Sequence, residues 1–389
     1  MRPLAPLLAL LVTATALPVA AAAQTSQFGA RGLGLPVRSY SARSLALGGG
    51  LALFDAESSL NPAAVGALRS LQALGTSTSS WRDSQNPFGS AFGRDTRFSL
   101  IQAGGPVYTN GIGVTKVHAA VSLSAYGDRN FALTSVDSMV LRDELVEVRD
   151  TLVSQGGLTD LRVAGAWSIS PNLTLGGGLH LITGATRVRS VRVVGGPEYN
   201  AVDEVAEVSY LSYGFSAGLV ARLSDRVALS GLARIDAPSR VERDTARVAT
   251  LDLPVTLGAG ARVALHSRLL VAGQVVHRGW GAADQSIREL GGIGSRHSLE
   301  ASGGVEWSTS GTNVTRWPLR LGAHYTSLPF PLQAGGQGRE TGLSVGTGIR
   351  VGPGGRGGFD LAVERIWRSE GPAWREQVFL LTFGLSVRP

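Results

Sequence analysis

From about residue 70 to the carboxyl terminus, apolar residues recur at every second position. Leu173, Leu175, Leu179 and Leu181 alternate with Thr174, Gly176, Gly178 and His180. Leu161, Val163, Trp167 and Ile169 alternate with Arg162, Ala164, Ala166 and Ser168. Near the end, Phe379, Leu381, Phe383, Leu385 and Val387 alternate with Leu380, Thr382, Gly384, Ser386 and Arg388. Side chains of a strand point to opposite faces in turn, whereas a helix repeats every 3.6 residues. Each segment therefore has one apolar face and one face of small or polar residues. Beyond residue 23, no apolar run approaches the ~20 residues that a membrane helix needs.

Fourteen such segments are expected, at about 70–81, 96–106, 113–126, 157–169, 172–189, 203–223, 226–236, 245–265, 267–279, 296–308, 317–327, 341–352, 357–368 and 376–387. Residues 130–150 hold a further hairpin or extend two strands. The connections alternate in length. Long ones fall at 82–95, 127–156, 190–202, 237–244, 280–295, 328–340 and 369–375; short ones include 107–112, 170–171, 224–225, 266 and 353–356, with 309–316 intermediate. A soluble sandwich has no reason to sort its loops by end. A transmembrane barrel does, with strands apolar outside and polar inside. The fold class is thus all-β, an antiparallel transmembrane β-barrel of about 14 strands. Six of the seven Trp (81, 280, 307, 317, 367 and 374) lie near expected strand ends, where a membrane–water boundary suits the indole; Trp167 is expected inside a strand.

Composition narrows the chemistry. The chain has 389 residues, 43% hydrophobic and 17% charged, with 52 Gly and no Cys. Disulfides and thiolate metal sites are excluded. Residues 1–23 carry Arg2, an apolar core from Leu4 to Leu17 and Ala21-Ala22-Ala23, the pattern of a secretory signal peptide. The net charge is +7, carried by Arg with Lys116 as the sole lysine. Arg162, Arg234, Arg262, Arg320 and Arg350 fall on polar strand faces with Asp236, Glu306, Asp360 and Glu364. With His180 and His324, those arginines are the candidate lumen residues. A mixed-charge lumen keeps these groups off the lipid face, where one would cost about 2–4 kcal/mol at the midplane.

Residues 24–69 lack a strand of membrane length. Ala56 to Leu68 is expected to be helical in short pieces, with Asp55 as cap, Ser58 and Ser59 as alternatives, and Pro62 at a first helical position. The segment is too small to form its own core. Three units follow: 1–23 signal peptide, 24–69 amino-terminal hatch and 70–389 barrel.

Ser41-Ala42-Arg43, Leu47-Gly48-Gly49-Gly50-Leu51-Ala52, Asp55-Ala56 and Asn61-Pro62-Ala63 resemble the amino-terminal signature of the FadL-like outer-membrane proteins. Leu253-Pro254-Val255-Thr256 and Trp317-Pro318-Leu319-Arg320 resemble the Pro-led strand starts of that group. The resemblance implies a fourteen-stranded barrel with the amino-terminal segment folded into its lumen. It also implies Asn61, Pro62, Asp55, Gly48, Gly49 and Gly50 as hatch or gate residues. Two departures are the ending Val387-Arg388-Pro389, where such barrels often end in an aromatic residue, and loops too short for an elaborate ligand-capturing domain.

Other chemistry is poorly supported. Gly214-Phe215-Ser216-Ala217-Gly218 and Gly342-Leu343-Ser344-Val345-Gly346 match a serine-hydrolase string, but both lie mid-strand with no following helix. Gly352 to Gly357 matches a dinucleotide string and reads as a hairpin turn. The six His have no metal-ligand spacing. No catalytic residue, metal, cofactor or nucleic-acid partner is expected. Inward Gly176, Gly178, Gly258, Gly260, Gly346 and Gly348 either leave lumen space or admit the hatch closely. The expected function is passive uptake of hydrophobic, fatty-acid-like small molecules through a plugged barrel in the bacterial outer membrane, with lipid around it. The alternative is a PorV-like scaffold or shuttle with secretion-system protein partners.

Overall fold

The structure is a computed structural model that describes residues 26–109, 115–196, 199–244, 246–309 and 317–388. The signal-peptide segment lies outside the described residues, as do parts of the turns at 107–112 and 309–316. Fourteen antiparallel strands close into a barrel. They are β1 (Gln72–Asn86), β2 (Gly89–Thr109), β3 (Thr115–Asp128), β4 (Glu144–Ser170), β5 (Leu173–Val194), β6 (Val202–Arg222) and β7 (Val227–Asp236). There follow β8 (Thr256–His266), β9 (Leu269–Arg278), β10 (Ser298–Ser308), β11 (Pro318–Ser327), β12 (Arg339–Val351), β13 (Gly357–Glu370) and β14 (Trp374–Val387). β14 returns to β1 from Arg375↔Gln85 to Val387↔Ala73, so the barrel has no free edge at this junction.

Several boundaries differ from expectation. The stretch 82–95, expected as a long connection, is strand on both sides of a tight turn. The expected single strand 245–265 is broken: Ala246–Leu251 pairs with Ser239–Arg243, and β8 begins only at Thr256. Pro254 lies in the gap, where it has no N–H to give a ladder. β4, β5 and β6 contain 27, 22 and 21 residues. About 9–11 residues suffice to cross a bilayer. The excess projects from the end that carries the long connections, together with Phe131–Leu141, which pairs with β4. The hairpin expected within residues 130–150 is thus present, as Phe131–Leu141 paired with the extended start of β4.

The outward face is apolar. Leu343, Val345, Phe379 and Phe383 are exposed, while Ser344 and Thr382 beside them are buried inward. Trp81, Trp307, Trp317 and Trp367 are exposed near strand ends. Trp167, expected mid-strand, pairs with Val117 and Leu175 close to the short-turn end and joins this belt. Trp280 and Trp374 also lie at strand ends, just after β9 and at the start of β14, but neither joins the exposed belt. Trp280 is buried edge-on against Phe330 at 5.0 Å. Trp374 packs on a cluster of Phe28, Leu35, Leu328 and Leu332.

Residues 26–68 lie among the inward faces of the strands. The chain enters near the loop end, where Ser26 meets Glu376, and reaches β1 at the opposite end. Ser41 starts a short helix, α1 (Ala42–Ala46), by accepting a hydrogen bond from Ser44 N. Asn61 caps the 3-10 turn Pro62–Ala67 and accepts from Ala63 N at 3.0 Å, with Pro62 in the first position. Asp55, expected as the cap with Ser58 and Ser59 as alternatives, directly precedes no described helix: one oxygen accepts from Glu57 N at 3.0 Å, and the other accepts from the Ser41 and Ser44 hydroxyls. Leu47, Leu51, Leu53 and Phe54 are buried against Ala228, Leu232 and Ala272 of the wall. Each such side chain stabilises the segment by about 1.5–3 kcal/mol.

Of the expected inward glycines, Gly176, Gly258, Gly260 and Gly346 face the amino-terminal segment, whereas Gly178 and Gly348 face side chains of the wall. A Cβ on Gly176 would stand 2.3 Å from Ala63 N, and one on Gly346 would stand 2.4 Å from Ala46 Cβ. A Cβ on Gly322 would stand 2.1 Å from Gly48 N. Gly48 and Gly49 have φ of +67° and +100°, so the turn that meets Gly322 also requires glycine.

Candidate functional site

The strand period brings the polar faces of distant strands into one lumen, and the amino-terminal segment supplies partners to them. At the turn end, Arg43 donates to both Glu306 oxygens at 2.9 and 2.6 Å. Arg320 donates to Glu306 at 2.8 Å and to Asp360 at 2.6 Å. Toward the loop ends of β9 and β10, the Tyr40 hydroxyl donates to Glu300 at 2.9 Å, and Arg278 reaches the other oxygen at 3.0 Å. On β11 to β13, Arg38 pairs with Glu364 at 2.8 Å, and His324 Nε2 meets Glu340 at 3.1 Å. Arg368 bridges Glu340 and Glu376, and Ser26 donates to Glu376 at 2.9 Å. Ser26, Arg38, Tyr40 and Arg43 thus tie the segment to the wall along its length. Buried charges of this kind hold only while their partners remain.

Three of the candidate arginines form no ion pair among the described residues. Arg262 lies over the Phe54 ring, 5.5 Å from its centroid, and Arg350 donates to the Ser386 hydroxyl at 3.0 Å. Arg162 is 1% exposed and forms no ion pair among the described residues. It donates to Ser122 and Gln102, and its Nη1 has no partner.

Arg234 donates to Asp160 at 2.6 Å and Asp236 at 2.9 Å. Asp160 also takes His180 Nδ1 at 2.9 Å, and His180 Nε2 lies 2.8 Å from Ser216 Oγ. This Ser–His–Asp order unites residues from β4, β5 and β6. Sequence reasoning singled out Ser216 and His180 separately and missed Asp160, because strand register alone brings them together. Ser216 is wholly buried. The second motif serine, Ser344, accepts from Gly48 N at 2.9 Å and donates to Ala46 O at 3.1 Å, so it holds the segment.

The expected gate residues divide between two parts of the wall: Gly48 and Gly50 lie against Ala323 of β11 and Gly303 of β10, whereas Asn61 and Pro62 lie against Gly218 of β6 and Gly176 of β5. Asn61 is wholly buried and donates to Leu53 O at 2.9 Å and Ser230 Oγ at 2.8 Å. Gly218 faces Asn61 so closely that a Cβ there would lie 1.9 Å from Oδ1. Burial raises the Glu57 carboxyl above its ordinary range, with Asp55 adding to the effect. A cavity of about 80 Å³ remains between the segment and the wall, touching Tyr40, Leu60, Tyr126, Asp160 and Arg234.

A larger space opens at the loop end. There, a groove of about 550 Å³ is lined by Phe88, Leu133, Leu152, Val202 and Trp374, with the Asp150–Arg192 pair on its polar side. It sits above a break in the wall. β2 pairs with β3 only from Leu100↔Ser124 toward the turn end, leaving Gly89–Phe98 paired to β1 alone. Leu35–Pro36 instead covers Asp128 and Gly127 of β3, beside an irregularity at Ala125/Gly127. An Arg97–Asp128 ion pair crosses the base of the break.

A closed fourteen-stranded barrel with an apolar outer face defines the class as transmembrane β-barrel. More particularly, the fold is that of the FadL-type outer-membrane barrels. A Pseudomonas aeruginosa FadL homologue matches at TM-score 0.64 with 13% identity, covering 91% of this chain and 99% of that one. The monoaromatic hydrocarbon channel CymD matches at 0.56 with 12% identity, over 90% and 97% of the two chains. The Pseudomonas putida toluene transporter TodX matches at 0.56 with 13% identity, over 90% and 99%. At such identities the likeness is one of fold. No family model and no curated protein matches the sequence.

Proposed function

We propose that the chain is an outer-membrane channel for passive uptake of hydrophobic small molecules, with the amino-terminal segment as its gate. The observation that carries this reading is the apolar groove set over the break between β2 and β3. A volume of about 550 Å³ lies within the range of small-molecule sites. Phe88, Leu133 and Leu152 offer apolar contact, and the break offers a way from the groove toward the wall. The inner cavity of about 80 Å³ is smaller than the ~150 Å³ that admits benzene, so passage through the lumen requires the segment to move. The likeness to channels described for toluene and monoaromatic hydrocarbons supports the substrate class. In this reading the loop end faces outward, the short-turn end faces the periplasm, and the Ser216–His180–Asp160 contact holds the wall rather than performing catalysis.

The test is uptake of radiolabelled toluene and oleate by cells with an intact lipopolysaccharide layer, with and without the protein. Faster uptake of either, reduced by F88D/L133D, is the expected result. Equal uptake in both cells, with no amphiphile on the purified protein and large protein partners co-purifying, would overturn it in favour of a secretion scaffold.

A further inference from the structure

We infer that the turn-end mouth of the barrel holds a binding site for an oxyanion, either a carboxylate or a phosphate. A basin of about 500 Å³ opens there, separate from the loop-end groove, and Arg43, Arg69, Arg320, Arg350 and Arg388 line it. Of its lining acids, Glu306 accepts from Arg43 and Arg320 across both oxygens, and Asp360 accepts from Arg320 through one. The other three guanidiniums are differently placed. Among the described residues, Arg69 and Arg350 form no ion pair, and Arg350 donates only to the Ser386 hydroxyl. Arg388 donates to Gln72 Oε1 at 3.0 Å and reaches Glu57 only at 4.0 Å. Glu57 is itself engaged, accepting from Gln72 at 2.5 Å.

The opposite wall of the basin is a glycine turn. Gly352, Gly354 and Gly355 leave no side chain to fill the space, and Gly358 lets Arg350 lie flat, since a Cβ there would stand 2.0 Å from Nη1. The rim adds to the field. On the short turns 170–173, 222–227, 266–269 and 351–357, Arg222, Arg226, Arg268 and Arg356 stand with Asp225 as the one acid. An excess of guanidiniums over carboxylates around a concave space concentrates positive potential. Their forked donors suit the paired oxygens of a carboxylate or phosphate. The basin therefore selects by charge, where the loop-end groove selects by apolar contact.

The probes are inorganic phosphate and benzoate, measured by equilibrium dialysis against the purified protein in a zwitterionic detergent. Saturable binding is expected, weakened about tenfold by R69Q and further by R69Q/R350Q/R388Q, and unchanged by R192Q at the loop end. A heat-modifiable gel shift verifies that each variant is folded, and exposed Arg69 tests the idea even if the triple variant is not. Nanodiscs with and without phosphatidylglycerol separate the sources. Displacement of the soluble probes by that lipid makes a headgroup the occupant; indifference to it makes a free solute the occupant. Binding of both probes that is absent or indifferent to R69Q and the triple variant, with no Arg-dependent retention of phosphatidylglycerol, overturns the site. That failure leaves the uptake reading untouched, because uptake is measured through the groove.

Discussion

The side-chain amide of Asn61 donates to the Ser230 hydroxyl across 2.8 Å, joining the amino-terminal segment to the inner face of β7. Ser230 in turn donates to Leu53 O at 2.9 Å, which also takes the Asn61 amide. One residue thus caps the Pro62–Ala67 turn, closes the Leu53 backbone and binds the wall.

Asn61→Ala should loosen the segment more than the barrel. It removes a cap and leaves buried polar groups unpaired, for a combined cost of about 2–4 kcal/mol. Hydrogen exchange should accelerate in residues 53–68 and stay slow in β12–β14. Uptake of hydrophobic probes should rise if the segment is the gate. Uniform exchange in both regions would show that the two unfold as one unit.

Gly322→Ala should act from the wall side. Its new Cβ would meet Gly48 N at 2.1 Å, and both partners are backbone. Overpacking of this kind costs about 1–3 kcal/mol. Exchange at residues 45–50 should therefore increase. Gly75→Ala is the matched control, because nothing lies within 4 Å of its Cβ. Equal behaviour of the two variants would remove close packing as the reason for the inward glycines.

What was legible in the sequence follows from what lipid enforces. Leu343, Val345, Phe379 and Phe383 had to alternate with small or polar residues, because one face meets hydrocarbon and the other does not. Phe131–Leu141 carries no such mark. It stands beyond the membrane with both faces largely exposed near its tip, and its sequence is free of the alternation that reveals the other strands. Asp55 and Asn61 are both good helix caps by residue type. The choice between them was settled by Pro62 following Asn61 and by the Ser41 and Ser44 hydroxyls claiming Asp55. Asp160, His180 and Ser216 meet through cross-strand register, which a chain with unknown loop geometry does not disclose.

Loop-end chemistry gives a pH dependence. After β9 the chain forms a second helix, α2 (Asp284–Glu289). A hydrogen bond from Arg288, with further help from Ser295 N, holds the Asp284 carboxyl below its ordinary value. A depressed carboxylate contributes stability that is present above its unfolded value and lost as pH falls through the folded one. The turn from α2 to Ser295 should therefore loosen in acid, below about pH 4. Asp284→Asn should remove that dependence, as read by exchange rates or NMR shifts of Ser295. A loop whose acid transition survives in D284N would place the titrating group elsewhere.

Arg368 bridges Glu340 at 2.5 Å and Glu376 through its other arm, while His324 and Ser26 complete those carboxylates. Arg368→Met leaves two buried carboxylates short of a partner, and breaking one side of such a network costs about 3–5 kcal/mol. The heat-modifiable gel shift should fall to lower temperature. Adding Glu340→Gln should recover part of that loss, because a neutral amide no longer needs the guanidinium. Recovery is expected to be partial, since Glu376 remains. The same pair tests the anchoring of the amino terminus: Ser26 donates only to Glu376 among the wall carboxylates. If Arg368→Met leaves both the gel shift and exchange at residues 26–30 unchanged, the network contributes neither stability nor anchorage.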